Sequence, residues 1–486
     1  MSTQLMAPLM LGVLVAFLLL GYPVAFSLAA NGLLFAAIGI TAGLLTPDLL
    51  GAMPARIYGI MQNETLLAIP FFTFMGLILE KSGMAEDLLE TIGQLFGPLR
   101  GGLAYAVIFV GALLAATTGV VAASVISMGL ISLPIMLRYG YDRRFASGVI
   151  AASGTLAQII PPSLVLIVLA DQLGKPVSDM YQGAIYPALL LTLLYGAYVL
   201  VTSTIRPSFA PALPPQARTL RGSALLMKAL VSLVPPLALV FLVLGTIVIG
   251  LATPTEAGAM GAVGALVLAI VNRRLNLSLL KQAMDTTTRL SSFVLFILIG
   301  STVFGLIFRA VDGDLWVEHL LTALPGGPLG FLIVVNLLVF VLAFFLDFFE
   351  LAFILVPLLA PVAQKLGIDL VWFGVLLAIN MQTSFMHPPF GFALFYLRSV
   401  APREDYVDKV TQRLTARVTT GQIYLGAVPF VLLQLAMVAL VLAFPALVGH
   451  APAATVEDQP LRIDVPAAAP YAPETPPQFS PGNERR

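Results

Sequence analysis

Ser153, Thr155 and Gln158 stand just ahead of Pro161-Pro162, and Asn380, Gln382 and Thr383 stand just ahead of Pro388-Pro389, all within apolar stretches. Proline lacks the amide hydrogen and clashes with the preceding turn, so each pair must break its helix and free carbonyl oxygens. Freed carbonyls and half-helix C-termini suit a desolvated Na⁺, while half-helix N-termini carry partial positive charge and suit a carboxylate. On this reading Ser153, Thr155, Asn380, Gln382 and Thr383 are candidate Na⁺ ligands, and Pro162 and Pro389 mark candidate substrate-binding breaks. Thr117-Thr118-Gly119 and Asp347, each interrupting a long apolar stretch, join the substrate set. A carboxylate at the bilayer centre costs about 2.5–3.5 kcal/mol on insertion scales, so Asp347 and its neighbour Glu350 are expected to be kept for a reason. The competing reading puts both at a hairpin tip near the interface, where the penalty fades.

Either proline pair alone has a plain structural reading, because Pro, Ser and Thr often do no more than kink or pack membrane helices. Repetition argues for more. Pro98, Pro134, Gly140, Asp142, Pro161 and Pro162 recur without a gap, 227 residues on, as Pro325, Pro361, Gly367, Asp369, Pro388 and Pro389. The chain is a duplication, and at the same shift Ser153 matches Asn380 and Thr155 matches Gln382. Helix breakers in corresponding segments of two halves point to the substrate site of a secondary transporter.

The remaining polar residues read more simply. Asp142 and Asp369 sit in Gly-x-Asp turns and are expected to be helix N-caps. Glu256, after Thr253-Pro254-Thr255, fits the first turn of a helix, where a carboxylate complements the dipole. His387 is the one histidine within a crossing and the sole side-chain hint of proton coupling. Ala151-Ala152-Ser153-Gly154 with His387 invites comparison with an intramembrane serine hydrolase. The duplication already explains both positions, however, and alanine stands two before the serine where rhomboid-type sites have glycine. No Walker pattern is present, so energy must come from an ion gradient or a partner.

The elements that hold these residues follow from composition. The chain of 486 residues is 59% hydrophobic and only 10% charged, against about 25% charged in soluble domains, so it is an all-α polytopic membrane protein. Zero net charge with scattered basic clusters excludes a nucleic-acid surface. Zero cysteines exclude disulfides, thiol catalysis and cysteine-held metal. Met1-Ser-Thr-Gln lacks the basic n-region of a cleaved signal.

At about 20 apolar residues per crossing, ten crossings fall near 5–21, 24–44, 63–81, 142–172, 181–204, 229–250, 254–272, 289–309, 370–398 and 422–447. Stretches 102–137 and 329–364, broken near the middle, read as re-entrant hairpins, with amphipathic pieces Met84–Phe96 and Leu315–Ala323 lying along the interface ahead of them. Basic residues cluster in four loops, around Arg138 to Arg144, Arg206 to Lys228, Arg273 to Arg289 and Arg398 to Arg417. All fall on one side, the cytoplasmic one. Five crossings per half make the repeats inverted: 1–204, then a cytoplasmic linker 205–228, then 229–447, with a disordered tail 448–486. The hairpin tips then converge near the midplane.

The motifs resemble a known family. Thr118-Gly119 with its small-residue hairpin, Arg138-Tyr-Gly-Tyr-Asp142, Ala152-Ser-Gly-Thr-Leu-Ala-Gln-Ile-Ile-Pro-Pro-Ser163, Thr253-Pro-Thr-Glu-Ala257 and Asn380-Met-Gln-Thr-Ser-Phe-Met-His-Pro-Pro-Phe-Gly391 are similar to the large membrane subunit of TRAP transporters, DctM-like. Phe390-Gly-Phe-Ala-Leu-Phe-Tyr-Leu-Arg398 resembles the branch labelled mannitol/chloroaromatic compound transport. The resemblance implies a non-enzymatic, Na⁺-coupled elevator of the ion-transporter superfamily in a bacterial inner membrane. It also implies a separate small membrane subunit as partner and a small carboxylate received from a periplasmic substrate-binding protein. A self-sufficient carboxylate transporter of the same superfamily is the alternative. Val120 stands where many members have serine, and His387 where threonine is usual, which shifts the implied Na⁺ ligands toward backbone positions.

Overall fold

The computed structural model describes residues 3–220, 222–388 and 391–449. The first series of helices is α1 (Thr3–Leu19), α2 (Val24–Thr41), α3 (Met53–Met61), α4 (Glu64–Lys81), α5 (Met84–Leu95), α6 (Gly102–Thr118), α7 (Val121–Arg138), α8 (Arg143–Thr155), α9 (Leu164–Leu173) and α10 (Val177–Ile205). The second is α11 (Gly222–Val248), α12 (Pro254–Val271), α13 (Leu277–Ala310), α14 (Gly313–Thr322), α15 (Gly327–Leu342), α16 (Phe348–Lys365), α17 (Leu370–Gln382), α18 (Phe392–Val400) and α19 (Thr420–Ala443). The duplication is carried into backbone geometry. Shifting α7, α8 and the 3₁₀ turn Leu156–Gln158 by 227 gives the bounds of α16, α17 and the turn Thr383–Phe385, residue for residue.

Among the described residues, eight helices are long and apolar enough to cross a membrane, α7 and α16 of the hairpins included. Burial separates two kinds of helix. From Phe145 to Thr155, and again from Leu164 to Ala170, every residue of α8 and α9 is buried, which is expected only where apolar residues surround the helix on all sides. In contrast, α11 and α12 expose Leu230, Val231, Val234, Met260, Val263 and Val267, the lipid-facing pattern of a multi-pass membrane protein.

Polar contacts place the helix ends. Asp87 and Glu90 of α5 pair with Arg274 at 2.9 Å and Lys228 at 3.0 Å. Lys81, ending α4, reaches Gln282 near the start of α13, the Asp142 amide donates to the Phe209 carbonyl, and Arg138 pairs with Asp408. All four basic loops are thus gathered at one end. The first hairpin leaves from α5 and returns to Arg138 at that end. The second leaves from α14 at the other end and returns there, because Lys365 pairs with Glu318 of α14.

Helix α19 gives the direction of the two broken helices. Near its start, a Cβ on Gly426 would run into the carbonyl of Arg144, at the start of α8, and further along Gln434 reaches Thr155, at the end of α8. Near its end, the Val441 carbonyl accepts from Trp372 Nε1, at the start of α17, at 3.0 Å. So α8 runs with α19 and α17 runs against it. The repeats are inverted.

Several expected bounds move. The linker is shorter than 205–228, since α11 begins at Gly222, where Ala224-Leu225-Leu226-Met227 continues the apolar run; Arg221 lies outside the described residues. Lys281 and Arg289 lie on the long α13, not in a loop. Residues 47–61 form a 3₁₀ turn and α3, which the apolar count did not anticipate. Of the tail 448–486, Val448 closes a short 3₁₀ turn, and residues 450–486 lie outside the described residues. Asp142 and Asp369 are N-caps, accepting from the amides of Arg144 at 2.9 Å and Trp372 at 2.7 Å, and Glu256 closes a capping box with Thr253.

At the basic end, Asp408 in the loop before α19 accepts from Arg138 Nε at 2.9 Å and from the Thr411 amide at 2.8 Å. Burial pushes its carboxyl up, but the Thr411 amide, the Arg138 guanidinium, the Thr411 hydroxyl and the Val410 amide together hold it down, at about 2. A lowered carboxylate stabilises the fold above its ordinary value of 3.8 and loses that contribution as pH falls through about 2. Asp408→Asn is therefore expected to destabilise the protein at neutral pH by about 1.5–3 kcal/mol, the range for a hydrogen bond to a charged group. Thermal unfolding across pH checks this: the gap to wild type should be constant above pH 4 and close toward pH 2.

Candidate substrate and ion site

The two breaks begin before their prolines. Helix α8 ends at Thr155 and α17 at Gln382, and after one 3₁₀ turn each the chain is unwound, to Ser163 in the first break and from Met386 to Pro388 in the second. The residue before a proline is pushed out of the helical region, so unwinding precedes the ring. Some freed groups are taken up again. Ser163 caps α9, accepting from the amides of Val165 and Leu166, while its hydroxyl donates to the Gln158 carbonyl at 2.5 Å. Thr383 Oγ1 donates to the Asn380 carbonyl at 2.7 Å.

The hairpin turns lie against the breaks. Thr117 and Thr118 are the last two residues of α6, and the chain reverses at Gly119, whose φ of 58° is left-handed and favours glycine. A Cβ there would lie 3.1 Å from Leu164 Cγ and 3.7 Å from the Pro162 carbonyl, so the first tip sits on the first break. At the second tip, Phe340 and Phe344 contact His387 of the second break, with ring centroids 4.4 and 4.3 Å apart. Pro389 lies outside the described residues.

The breaks also meet each other. Gln382 Nε2 donates to Thr155 Oγ1 at 3.2 Å, across a separation of 227 residues. Residues related by a two-fold operation touch only beside its axis, so the pseudo-axis of the inverted repeat passes here. Gln434 of α19 also donates to Thr155, at 3.4 Å, and to Tyr195 of α10 at 2.9 Å. With its own hydroxyl donating to the Ala152 carbonyl, Thr155 is fully engaged and acts as the knot of this cluster.

Ser153 Oγ donates to the Ile150 carbonyl at 2.9 Å and retains lone pairs. Asn380 Nδ2 donates to the carbonyl and side-chain oxygens of Asn336 on α15, at 2.7 and 3.0 Å. The amide oxygens of Gln158, Asn380, Gln382 and Gln434 are buried without a hydrogen-bond partner among the described residues. Such groups are costly to bury unmet. A small desolvated cation is one partner they can take.

Asp347 and Glu350 form a capping box: Asp347 Oδ1 accepts from the Glu350 amide and Glu350 Oε2 from the Asp347 amide, both at 2.9 Å. Aspartate followed three residues later by glutamate ahead of an apolar run is the sequence sign of such a box, and it accounts for one oxygen of each carboxylate. Asparagine caps as well as aspartate, whereas alanine costs about 1 kcal/mol. Asp347→Asn should therefore keep wild-type stability while Asp347→Ala loses about 1 kcal/mol. If Asp347 also faces the substrate, both lose uptake; wild-type uptake in Asp347→Asn at equal expression would leave it a cap alone.

Ser153 and His387 form no dyad, since the serine hydroxyl is turned to its own helix and neither ring nitrogen of His387 has a hydrogen-bond partner among the described residues. Asn336, Gln434 and Tyr195 join the site without having been expected.

Among known proteins, residues 11–447 match the family model described as tripartite ATP-independent periplasmic transporter, DctM component. The chain is similar to the C4-dicarboxylate TRAP transporter large permease protein DctM of Pseudomonas aeruginosa, 30% identical over 362 residues, 74% of this chain and 83% of that one. The protein of the same name from Vibrio cholerae is 31% identical over 423 residues, 82% of this chain and 90% of that one. In fold, the chain is similar to the crystal structure of the Alcanivorax borkumensis YdaH transporter, with a TM-score of 0.58 at 17% identity, covering 83% of this chain and 90% of that one.

Proposed function

Since this chain belongs to the family of the DctM component of tripartite ATP-independent periplasmic transporters, we propose that it is the large permease subunit of a Na⁺-coupled uptake system for a small organic acid. The family is one of transporter permeases, not enzymes. In this reading the chain sits in a bacterial inner membrane with its basic end in the cytoplasm. It works beside a small membrane subunit and receives substrate from a periplasmic binding protein. The relatives' names, given for C4-dicarboxylates, support a carboxylate as the cargo.

The observation that carries the proposal is the meeting of two unwound breaks at the pseudo-axis, Thr155 against Gln382, with amide oxygens buried and unpaired beside it. Unpaired acceptors next to freed carbonyls favour Na⁺, and the N-terminal ends of α9 and α18 favour the carboxylate. Ser153, Asn380, Gln382 and Thr383 offer the side-chain oxygens, while Thr155 orients its neighbours. The two hairpins and two broken helices form the unit that would move, elevator-like, against lipid-facing helices such as α11 and α12.

The test is uptake of radiolabelled short carboxylates by proteoliposomes holding both membrane subunits, with a Na⁺ gradient and the binding protein outside. Accumulation that requires all three components supports the proposal. Equal accumulation without the binding protein would favour a self-sufficient transporter instead.

A further inference from the structure

His387 is 1% exposed, yet neither its Nδ1 nor its Nε2 has a hydrogen-bond partner among the described residues. A neutral imidazole carries one N–H donor and one lone pair, and burying both unmet is costly. Packing alone does not explain the choice. The ring lies in a phenyl environment, stacked on Phe344 at 25° and edge-on to Phe340 at 70°, where a third phenylalanine would fit without any unmet group. Phe340 belongs to the last turn of α15 and Phe344 to the turn that follows, and both are half-buried while the imidazole they cover is fully buried. The backbone holds the ring in place, since the His387 carbonyl accepts from the Gly391 amide at 2.6 Å and the Met386 amide donates to the Thr383 carbonyl at 2.8 Å. Ser384 Oγ, three residues earlier in the 3₁₀ turn that leads into the break, is also buried without a partner among the described residues.

We propose that His387 is a substrate-contacting residue, its imidazole exchanging hydrogen bonds with the oxygens of a short carboxylic acid, and that Phe340 and Phe344 are the cover the acid displaces. The inference rests on the substrate site being at the breaks. An N–H suits a carboxylate oxygen and a ring lone pair suits a hydroxyl hydrogen, so the residue favours acids that bear both. Discrimination by such a group is large, because an acid lacking the matching oxygen leaves the imidazole unpaired.

The test uses the complete complex of both membrane subunits in Na⁺ buffer and reads carbethoxylation of His387 by mass spectrometry, with the exposed His319 as internal reference. The probes are succinate, L-malate, fumarate and L-lactate. At least one acid should slow modification of His387 about tenfold and leave His319 unchanged. A His387 signal that is the same with and without every acid, including no reaction at all, overturns the proposal. His387→Phe should keep the thermal midpoint and lose at least tenfold in uptake, with His387→Asn intermediate; wild-type uptake in His387→Phe would also overturn it. Because carbethoxylation needs no gradient, it decides on His387 even if the wild type shows no Na⁺-driven uptake, which would defeat the proposed function separately.

Discussion

Gly148→Val should cost most of the folded protein. Gly148 of α8 and Gly426 of α19 approach so closely that a Cβ on the first meets the carbonyl of the second, and a Cβ on Gly426 meets the carbonyl of Arg144. Small residues let membrane helices pack at this range, and the obstacle is backbone, which cannot rotate away as a side chain can. Overpacking costs about 1–3 kcal/mol where side chains can yield, so the loss here should be at the upper end or beyond. The consequence reaches the site, since α8 carries Ser153 and Thr155 and is registered to α19 through Gln434. Gly196→Val is the control, because a Cβ at Gly196 meets nothing within 4 Å. Monodisperse yield and uptake should collapse for the first and stay unchanged for the second; a folded, active Gly148→Val would contradict the packing described.

Asn380→Leu should raise the half-saturating Na⁺ concentration at least about tenfold, equivalent to about 1.4 kcal/mol. The substitution removes a buried, unpartnered amide oxygen and both hydrogen bonds to Asn336. Asn336→Leu separates the two effects. If Asn380 acts only by holding α15, both variants shift Na⁺ dependence alike; if its oxygen meets the ion, Asn380→Leu shifts it much further. Ser153→Ala, at the equivalent position, should weaken Na⁺ dependence as well. Unchanged Na⁺ dependence in both Asn380→Leu and Ser153→Ala would remove side-chain oxygens from the ion site.

Much of this architecture could be read from one periodicity. The proline matches at a shift of 227 foretell helices α7 and α16, α8 and α17, whose bounds agree residue for residue, because proline acts on the backbone wherever it stands. The polar residues that complete the site left no such trace. Asn336 corresponds to Phe109 and Gln434 to Pro207 at the same shift, so the repeat is silent about them, and a lone amide in an apolar helix looks alike whether it faces lipid or a partner. Thr155 and Gln382 were legible as a matched pair but not as a contact, since that depends on how two distant helices cross. Asp347 shows the opposite failure. Its spacing to Glu350 spelled a capping box, while the apolar surroundings drew attention to the cost of the charge.

Sodium coupling is the central claim, and ion substitution under an imposed voltage tests it most directly. Proteoliposomes with both membrane subunits and the binding protein would carry a valinomycin-set K⁺ diffusion potential, inside negative, with external Na⁺ present or replaced by Li⁺. Each net positive charge carried inward gains about 2.3 kcal/mol per 100 mV, so two Na⁺ with a monocarboxylate would be accelerated and two Na⁺ with a dicarboxylate would be indifferent. In either case the account predicts accumulation only with Na⁺. Potential-driven accumulation that persists with Na⁺ absent or Li⁺ in its place would contradict it and move the coupling to protons.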